Sequence, residues 1–481
     1  MPNPNCRSPQ HAPSPQSTTR NARCPLLALP DPDQQAQWDL FRALVVTVQH
    51  FFGGFDHLFE VLTDPRQPSR ITYSLTSLLT TGVLLFLFRL GARRQVTHLL
   101  RGNHASAKKY QLWLGAPECP HGDTLNTVYR RLTVPELQTV VTGMPVTLIR
   151  RKVLEHQRLL DQYYLVAIDG TGVLTFSERH CEHCLTRTHQ GRTTYYHPVL
   201  EAKLVTPSGF AFSLMTEFIE NPDLQPDKQD CELQAFYRLA QRLKQACPRL
   251  PLCLLLDGLY AGGPTFTVCA TNGWKYFIVL QDGTIPFLDT EFAELRALDP
   301  GQRLEFITGA QEQIRQELTW VNQIAYLDTQ HHEHTVAVLE CLETQPAAAT
   351  HKLTPTRFRW VTNFNVTPAK VVELANQGGR LRWKIENEGF NVQKRGGYAL
   401  EHRYSEDPNA SKIFYLLLQI AHSLAQLLEK GSLFRQAFPY GVGSAKNIAQ
   451  RLLEAWRNLR LVPTMLQQLL DARLQIRFAP P

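Results

Sequence analysis

Net charge, closely spaced cysteines and an apolar leader are all scarce in this sequence. Among 481 residues, 50 lysines and arginines nearly balance 43 aspartates and glutamates, which leaves a formal charge of +7. A surplus this small does not indicate a polyanionic partner, so any basic surface must come from local clustering. The first 30 residues are polar and contain no apolar run typical of a secretory signal. With 10 cysteines scattered apart from one close pair, the composition favours a reducing, cytoplasmic location.

Long apolar runs are almost absent. Only the stretch 71–90 approaches the roughly 20 residues that a helix needs to cross a bilayer. It contains several serines and threonines, and Arg89 lies near its end, so the composition favours a helix buried in the protein over a membrane span. We therefore expect no association with a membrane.

Shifts in the apolar pattern divide the chain into six predicted regions. Apolar residues recur every three or four positions from about Gln37, run together as in strands from Tyr163, and return to helical spacing after Ser411. The predicted regions are a disordered tail (1–36), a helical N-terminal domain (37–160), the first part of an α/β core (161–281), a β-rich insertion (282–355), the second part of the core (356–405) and a C-terminal helical region (406–481).

Two apolar runs end in the same acidic pair. One run, 163–168, ends at Asp169-Gly170, and the other, 252–256, ends at Asp257-Gly258. Each run is typical of a buried strand, so two neighbouring strands would carry two carboxylates to one edge of a sheet. A third acidic candidate, Glu386, lies far downstream. Three converging carboxylates suit a site in which two metal ions act on phosphodiesters.

Four short segments together resemble the DDE transposases of bacterial insertion sequences. They are Asp169-Gly170-Thr171-Gly172, Lys228-Gln229-Asp230-Cys231-Glu232, Asp257-Gly258-Leu259-Tyr260-Ala261 and Arg382-Trp383-Lys384-Ile385-Glu386-Asn387. The resemblance covers most of the chain, from about Asp64 to the C-terminal helices. It implies an α/β fold with an RNase H-like catalytic core, a mixed five-stranded sheet with flanking helices. A β-rich insertion interrupts this core, and helical regions precede and follow it. The predicted order of three strands followed by alternating helices and strands is also that of the RNase H-like fold.

The resemblance implies a function as well as a fold. It makes Asp169, Asp257 and Glu386 the catalytic residues and the ligands of two Mg²⁺ or Mn²⁺ ions. The enzyme would bind the terminal inverted repeats of a mobile element, cleave double-stranded DNA there, and join the 3′-hydroxyl ends to target DNA. Two element ends must be held together, which implies a homodimer. Independently of the resemblance, carboxylate oxygens suit these hard cations. Such ions activate the nucleophile and stabilise the leaving oxygen.

The family signature around the glutamate reads Tyr, two residues, Arg, three residues, Glu, six residues and Lys. Arg382 and Glu386 fit the central spacing. Gly379 stands at the tyrosine position, and Gln393 stands at the lysine position, with Lys394 one residue late. These two departures leave open whether the protein has kept the activity of the family.

A second glutamate, Glu388, is a rival for the third ligand position. On an α-helix it would point about 200° away from Glu386, so only one of the two can face the site. We favour Glu386 because it follows Arg382 with the spacing of the signature.

A second constellation contains the close cysteine pair. Cys181 and Cys184 form a Cys-x-x-Cys half-site, and His189 and His197 follow in the predicted hairpin. Two cysteines and two histidines can complete a tetrahedral zinc site. The spacing of the second pair is not a standard one, so a hairpin with free thiols and exposed histidines is the alternative. No thioredoxin-like context supports a redox role.

Several basic and aromatic residues are candidates for contacts with DNA. Arg382 lies one helical turn before Glu386 and could clamp a phosphate, and Lys394 and Arg395 follow the same helix. Trp320, in the predicted insertion, is the preferred candidate over Trp360 for stacking on a flipped base. For either tryptophan, burial in the core is the alternative.

The predicted function is thus a metal-dependent DNA transposase. A catalytically silent DNA-binding protein derived from a transposase is one alternative, and a nuclease of the same fold without strand transfer is another. The helical domain 37–160 has a basic run at 91–109 but no clear helix-turn-helix signature. A role for this domain in binding element ends therefore depends only on its position and charge.

Overall fold

The computed structural model describes residues 31–223, 228–309, 314–344 and 355–479. The fold is mixed α/β, with helices towards both ends of the chain and a ten-stranded sheet between them. The helices are α1 (Pro32–Phe52), α2 (Phe55–Phe59), α3 (Leu75–Leu87), α4 (Arg93–Leu99), α5 (His104–Trp113), α6 (Gly122–Tyr129), α7 (Val134–Arg150), α8 (Glu232–Ala246), α9 (Gly263–Asn272), α10 (Pro286–Leu298), α11 (Val371–Glu373), α12 (Asn391–Arg395), α13 (Pro408–Lys430), α14 (Ser432–Ala437), α15 (Ala445–Asn458) and α16 (Pro463–Leu470). The strands are β1 (Tyr164–Phe176), β2 (Leu185–His189), β3 (Arg192–Val205), β4 (Ala211–Phe218), β5 (Leu252–Leu256), β6 (Lys275–Val279), β7 (Arg303–Thr308), β8 (Ile314–Leu327), β9 (Glu333–Thr344) and β10 (Thr356–Thr362).

The predicted N-terminal helical region is helical, but two helix ends differ from the prediction. α1 begins at Pro32, five residues earlier than expected, because the side chain of Asp31 caps its first turn and proline suits the first helical position. α7 ends at Arg150, ten residues earlier than expected, and Lys152 then adopts a positive φ of 59°. Of the predicted disordered tail, residues 1–30 lie outside the described part of the chain.

Residues 75–87 of the apolar stretch 71–90 form α3, which is buried from Ser77 onwards, as predicted, whereas Ile71 and Ser74 before it are exposed. Its first turn is capped by Ser74, whose side chain accepts a hydrogen bond from the backbone N–H of Ser77. Within the described ranges, no helix has both the length and the apolar character of a membrane span.

Two elements in the middle of the chain were missed by the sequence pattern. The polar segment 177–197 contains the short strand β2, and the predicted β-rich insertion contains α10 in addition to β7, β8 and β9. Residues 310–313 and 345–354 of that insertion lie outside the described residues. The three strands are continuous with the rest of the sheet, since β9 pairs with β10.

β1 organises the sheet. Its neighbours are β3, which is antiparallel, and β5, which is parallel. The strand order is β2-β3-β1-β5-β6-β10-β9-β8-β7, with β4 also paired to β3. β5 and β6 are parallel too, and the other pairs are antiparallel. Because parallel neighbours need a crossover connection, helices α8 and α9 precede β5 and β6 respectively.

Both faces of the central sheet are covered. Along β1, Val166 and Ile168 contribute to a core shared with helices such as α3 and α13, whereas Leu165 and Ala167 contribute to a second core. The second core includes Ile385, from the irregular helical segment between α11 and α12. Odd-numbered positions of β1 therefore face this segment.

A buried ion pair joins the sheet to α13. Glu201 and Lys203 are fully buried on β3, with Oε2 and Nζ 3.2 Å apart. Glu201 also accepts hydrogen bonds from Ser213 and Tyr415, at 2.8 and 3.0 Å. Lys203 donates to the side-chain oxygen of Gln419 at 2.7 Å. Burial lowers the pKa of Lys203, and the adjacent carboxylate opposes that shift.

We expect Glu201→Ala to destabilise the protein by about 3–5 kcal/mol, because it leaves the Lys203 ammonium buried without a counter-charge. Glu220→Ala is the matched control, since Glu220 forms a part-exposed ion pair with Lys412 at 2.6 Å and such pairs contribute about 1 kcal/mol or less. Denaturant unfolding of both variants is the measurement. Equal destabilisation of the two would contradict the assigned role of the buried pair.

Candidate active site and metal centre

Asp169 and Asp257 lie at the same level of two neighbouring strands, where β5 ends. The prediction that the first strand also ends at Asp169 is wrong, because β1 continues to Phe176 along its antiparallel neighbour β3. The parallel register pairs Ala167 with Leu255, so each aspartate follows its paired residue by two positions. Both occupy the odd-numbered face of their strands, with Leu165 and Ala167 on β1 and Leu255 on β5 in the second core. The predicted convergence of these two carboxylates therefore follows from the backbone register.

Burial and neighbouring charges shift the pKa of the Asp169 carboxylate. Its Oδ1 accepts the N–H of Gly170 at 2.9 Å, and its Oδ2 lies 3.4 Å from the Nη1 of Arg382. Burial raises the pKa of Asp169 to about 6, and the nearby carboxylates of Glu232 and Asp257 add to the rise while Arg382 opposes it. A positive charge from outside the chain would be favourable here.

Asp257 caps the short 3₁₀ turn that follows β5. Its Oδ1 accepts the backbone N–H of Leu259 at 2.8 Å, which fixes the orientation of the carboxylate. The side chain of Leu259 is 55% exposed, whereas Tyr260 is buried. The turn thus holds the carboxylate at the surface edge of the sheet with an apolar side chain beside it.

Glu232 is a fourth carboxylate at this site, and the sequence analysis did not name it as a site residue. It begins α8, and its Oε1 accepts the hydroxyl of Tyr260 at 2.7 Å. Burial and the charge of Asp257 raise its pKa, against the hydrogen bond from Tyr260. A Cβ added to Gly170 would lie 2.3 Å from the Glu232 carboxylate, so a larger residue there would displace that side chain. The signal was present, because the segment 228–232 is one of the four that carry the resemblance.

Glu386 lies in a π-helical turn, Ile385–Phe390, that packs on the second core. Its carboxylate is half-buried and has no hydrogen bond or ion pair with any described residue. Its rival Glu388 pairs with Lys384 at 3.1 Å. Arg382, one turn earlier, contacts Asp169 directly, whereas no hydrogen bond or ion pair joins Glu386 to either aspartate among the described residues.

Arg382 and Trp383 lie beside the carboxylates. The guanidinium of Arg382 is 9% exposed and lies 4.4 Å from the centre of the Trp383 ring. Its Nε is buried and has no hydrogen-bond partner in the described structure. Trp383 is 54% exposed, which is unusual for an indole. The sequence pattern does not single out Trp383. Periodicity shows which face of a helix is buried, but it does not show whether one particular residue is exposed.

The two departures from the family signature have physical explanations. A Cβ on Gly379 would lie 2.5 Å from the indole of Trp360, so this chain has no room for a tyrosine at that position. Gln393 is fully buried and donates to Gln419 at 2.8 Å, within the network around Lys203. A lysine at 393 would add a second buried ammonium to that network.

The residues predicted to contact DNA differ in their exposure and in their partners. Trp320 is 2% exposed and Trp360 is 3% exposed, so the prediction that Trp320 stacks on a base does not agree with its burial in the second core. Lys394 forms an ion pair with Glu401 at 3.2 Å. Arg395 is exposed at the end of α12. Of the four predicted contacts, Arg382, Lys394, Arg395 and Trp320, only Arg382 contacts one of the candidate catalytic carboxylates.

Three ligand atoms of the predicted zinc site converge. The two sulfurs of Cys181 and Cys184 are 3.7 Å apart, and the Nε2 of His197 lies 3.3 and 3.2 Å from them respectively. Both cysteines are free thiols. Among the described residues, this is the one group of three or more cysteine, histidine or acidic side chains whose ligand atoms lie close enough together to hold a metal ion.

The fourth predicted zinc ligand, His189, is not part of the cluster. Register pairs Leu185 with Tyr196 and His189 with Arg192, so His189 lies at the tip of the β2–β3 hairpin. Four residues of strand separate it from Leu185, roughly 13 Å at the usual rise. The hairpin geometry, which spacing alone does not reveal, therefore removes His189 from the site.

Comparison with models of known protein families found no match, and comparison with curated proteins found no match either. The functional interpretation therefore depends on the residues of the chain and their geometry.

The raised pKa of Asp169 gives a prediction for stability. Between its ordinary pKa of 3.8 and about 6, the folded state binds more protons than the unfolded state, so stability falls as pH rises through this window. At pH 7.5 in a chelator, Asp169→Asn should therefore be more stable than the parent by about 1–3 kcal/mol.

The advantage of Asp169→Asn should shrink as pH falls towards 4, where the parent carboxyl is also neutral. Thermal unfolding at pH 4, 6 and 7.5 measures it. Asp56→Asn, at an exposed aspartate, is the control and should show no such trend. A variant that is less stable than the parent at every pH would contradict the electrostatic picture.

Proposed function

We propose that this protein is a DDE transposase that binds the ends of an insertion sequence and catalyses metal-dependent DNA cleavage and strand transfer. The observation that carries the proposal is the parallel pairing of β1 and β5, which places Asp169 and Asp257 at the same level of neighbouring strands. The segment that contains Arg382 and Glu386 packs against the same face of the sheet.

The sheet order supports an RNase H-like core within this proposal. The strands β4-β3-β1-β5-β6 form a five-stranded unit in which β1, β3 and β4 are antiparallel and β5 and β6 run parallel to β1. One carboxylate in the middle of β1, one directly after β5 and one on a helical segment packed against the sheet resemble the arrangement expected of that core. The strands β7 to β10 then extend it.

The carboxylates have the chemistry that divalent cations prefer, although in this structure Asp169, Asp257 and Glu386 are not among the described groups whose ligand atoms lie within 4.8 Å of one another. Asp169 carries a raised pKa because of burial and neighbouring negative charge, and one oxygen of Asp257 has no protein partner among the described residues. Together with Glu386, they would hold Mg²⁺ or Mn²⁺, which prefer oxygen ligands. Such ions, when bound, activate a hydroxyl nucleophile and stabilise the leaving 3′-oxygen.

The remaining residues at the site would act on the DNA. Arg382 would contact a phosphate oxygen, since its guanidinium is adjacent to Asp169 and its Nε is free. The exposed ring of Trp383 offers a surface on which a nucleobase can stack. Tyr260 would hold Glu232 in place through its hydroxyl. In this proposal the partners are the terminal inverted repeats and the target duplex, and the active form is a homodimer.

We propose that the protein also binds a zinc ion, held by Cys181, Cys184 and His197. Tetrahedral zinc with its usual bond lengths places two sulfurs about 3.8 Å apart and a sulfur and a nitrogen about 3.5 Å apart. The separations in the protein are 3.7, 3.3 and 3.2 Å. A disulfide would need about 2.05 Å between the sulfurs. The three ligands leave a fourth position for water or a further side chain.

A cleavage assay tests the transposase proposal. Asp169→Asn, Asp257→Asn and Glu386→Gln should each lower Mg²⁺-dependent cleavage of a labelled duplex from the element end by more than about a hundredfold, since each removes a metal ligand. Glu388→Gln is the matched control and should retain activity, because Glu388 is paired with Lys384.

The products separate the alternatives. Joined products with target DNA support the transposase, whereas cleavage without joining supports the nuclease. A parent protein that binds the element end and never cuts it would favour a silent DNA-binding protein. Loss of activity in Glu388→Gln with retention in Glu386→Gln would mean that Glu388 is the third ligand.

Metal analysis tests the zinc proposal. The purified protein should contain about one zinc per chain, and Co²⁺ substitution should give the thiolate charge-transfer absorption of a cysteine-bound ion. Cys181→Ser, Cys184→Ser and His197→Ala should each lose most of the metal. His189→Ala and Cys231→Ser, whose parent residues lie outside the cluster, should keep it. Equal metal content in all five variants would overturn the assignment.

A further inference from the structure

A groove lined by basic residues lies between three segments of the chain. α4 contributes Arg93, Arg94 and His98, the start of α6 contributes His121, and the loop before α13 contributes His402 and Arg403. We call this surface the basic groove. It is separate from the carboxylate site, and none of its residues has a role in the functions proposed above.

Positive charge in the basic groove is poorly balanced. Asp123 is the one carboxylate in its lining, 75% exposed and 3.4 Å from Arg93, and Glu406, 80% exposed, pairs with Arg403 from beside the groove at 3.0 Å. Exposed pairs of this kind contribute little. Arg94 has no ion pair with any described residue. Burial lowers the pKa of His402, and the charges of Arg94 and Arg403 add to that effect, so these side chains converge.

One arginine of the groove has an unfilled donor. The Nη1 of Arg93 is buried and has no hydrogen-bond partner within the described ranges. Buried donors are normally paired, so the protein does not fully satisfy the guanidinium of Arg93, whose Nη2 faces the exposed carboxylate of Asp123.

We propose that the basic groove binds the sugar-phosphate backbone of duplex DNA, and this inference builds on the proposed function. Its chemistry suits repeated phosphates, because arginines from separate elements are spread along one concave surface. No base-reading arrangement is needed, since contacts with phosphates fix the position of a duplex without reading its sequence.

The position of the basic groove relates it to the carboxylates. The guanidinium of Arg403 lies 5.7 Å from the ring centre of Phe176, the last residue of β1. Seven residues separate Phe176 from Asp169, which is roughly 20–23 Å along a strand. At about 3.4 Å per base pair, a duplex engaged at Asp169 would reach the groove six or seven base pairs away.

The loop that forms one wall of the groove is also tied to the cysteine cluster. The Nε2 of His180, next to Cys181, lies 3.1 Å from the backbone carbonyl oxygen of Glu406. Glu406 in turn pairs with Arg403 at 3.0 Å. The metal centre thus has a direct structural path to the groove.

DNA binding by the full-length protein tests the proposal. Fluorescence anisotropy with a labelled 30-base-pair duplex of arbitrary sequence, in a chelator, needs no cleavage. The double variant Arg94→Ala/Arg403→Ala should bind about tenfold or more weakly, and the slope of log affinity against log salt should fall by about two. Arg460→Ala/Arg473→Ala, which removes two exposed arginines outside the groove, should match the parent.

Duplex length supplies a second test. The double variant should bind the 30-base-pair duplex more weakly than the parent does, while the melting temperature of the protein stays unchanged. On duplexes of about five base pairs, too short to reach from the carboxylates to the groove, parent and variant should differ less. Parental affinity and salt slope in the groove variant would overturn the proposal, as would no DNA binding by the parent. Weakened binding by a protein whose parent never cuts DNA would uphold the groove and reject the transposase.

Discussion

The parallel pairing of β1 with β5 is the constraint on which the candidate site depends. A shift of one residue in this register would turn Asp257 to the opposite face of the sheet from Asp169. Both strands are buried on both faces, so their apolar side chains fix the register from two directions. The carboxylate of Asp169 is largely buried there, which raises its pKa. Folding therefore brings together charges that are unfavourable until a cation compensates them.

The helix that carries Glu386 is positioned by polar as well as apolar contacts. Ile385 and Phe390 pack into the second core, while Gln393 joins the buried network of Lys203 and Gln419. π-Helical turns before and after Trp383 make this segment irregular, and such turns are common at functional sites. The geometry of the segment thus depends on the buried network as much as on its own sequence.

The acidic site, the cysteine cluster and the basic groove lie along one path. Asp169 lies in the middle of β1, which ends at Phe176. The ring of Phe176 stacks on His180 and contacts the guanidinium of Arg403. His180 precedes Cys181, and His197 pairs with Leu174 of the same strand. The long strand β1 therefore connects the proposed catalytic site to the groove that is proposed to bind the duplex.

Although pairing with β3 carries β1 past the predicted strand end at Asp169 to Phe176, the sequence by itself determined the α/β class, the strand end at Asp257 and the Cys-x-x-Cys pair, because strand propensity, turn chemistry and ligand type are local properties. It also placed Glu386 on a helix. Tertiary structure decided which residues meet. Register excluded His189 from the metal cluster, core packing buried Trp320, and α8 brought Glu232 to the aspartates. These outcomes depend on contacts between residues distant in the chain, which no local pattern encodes.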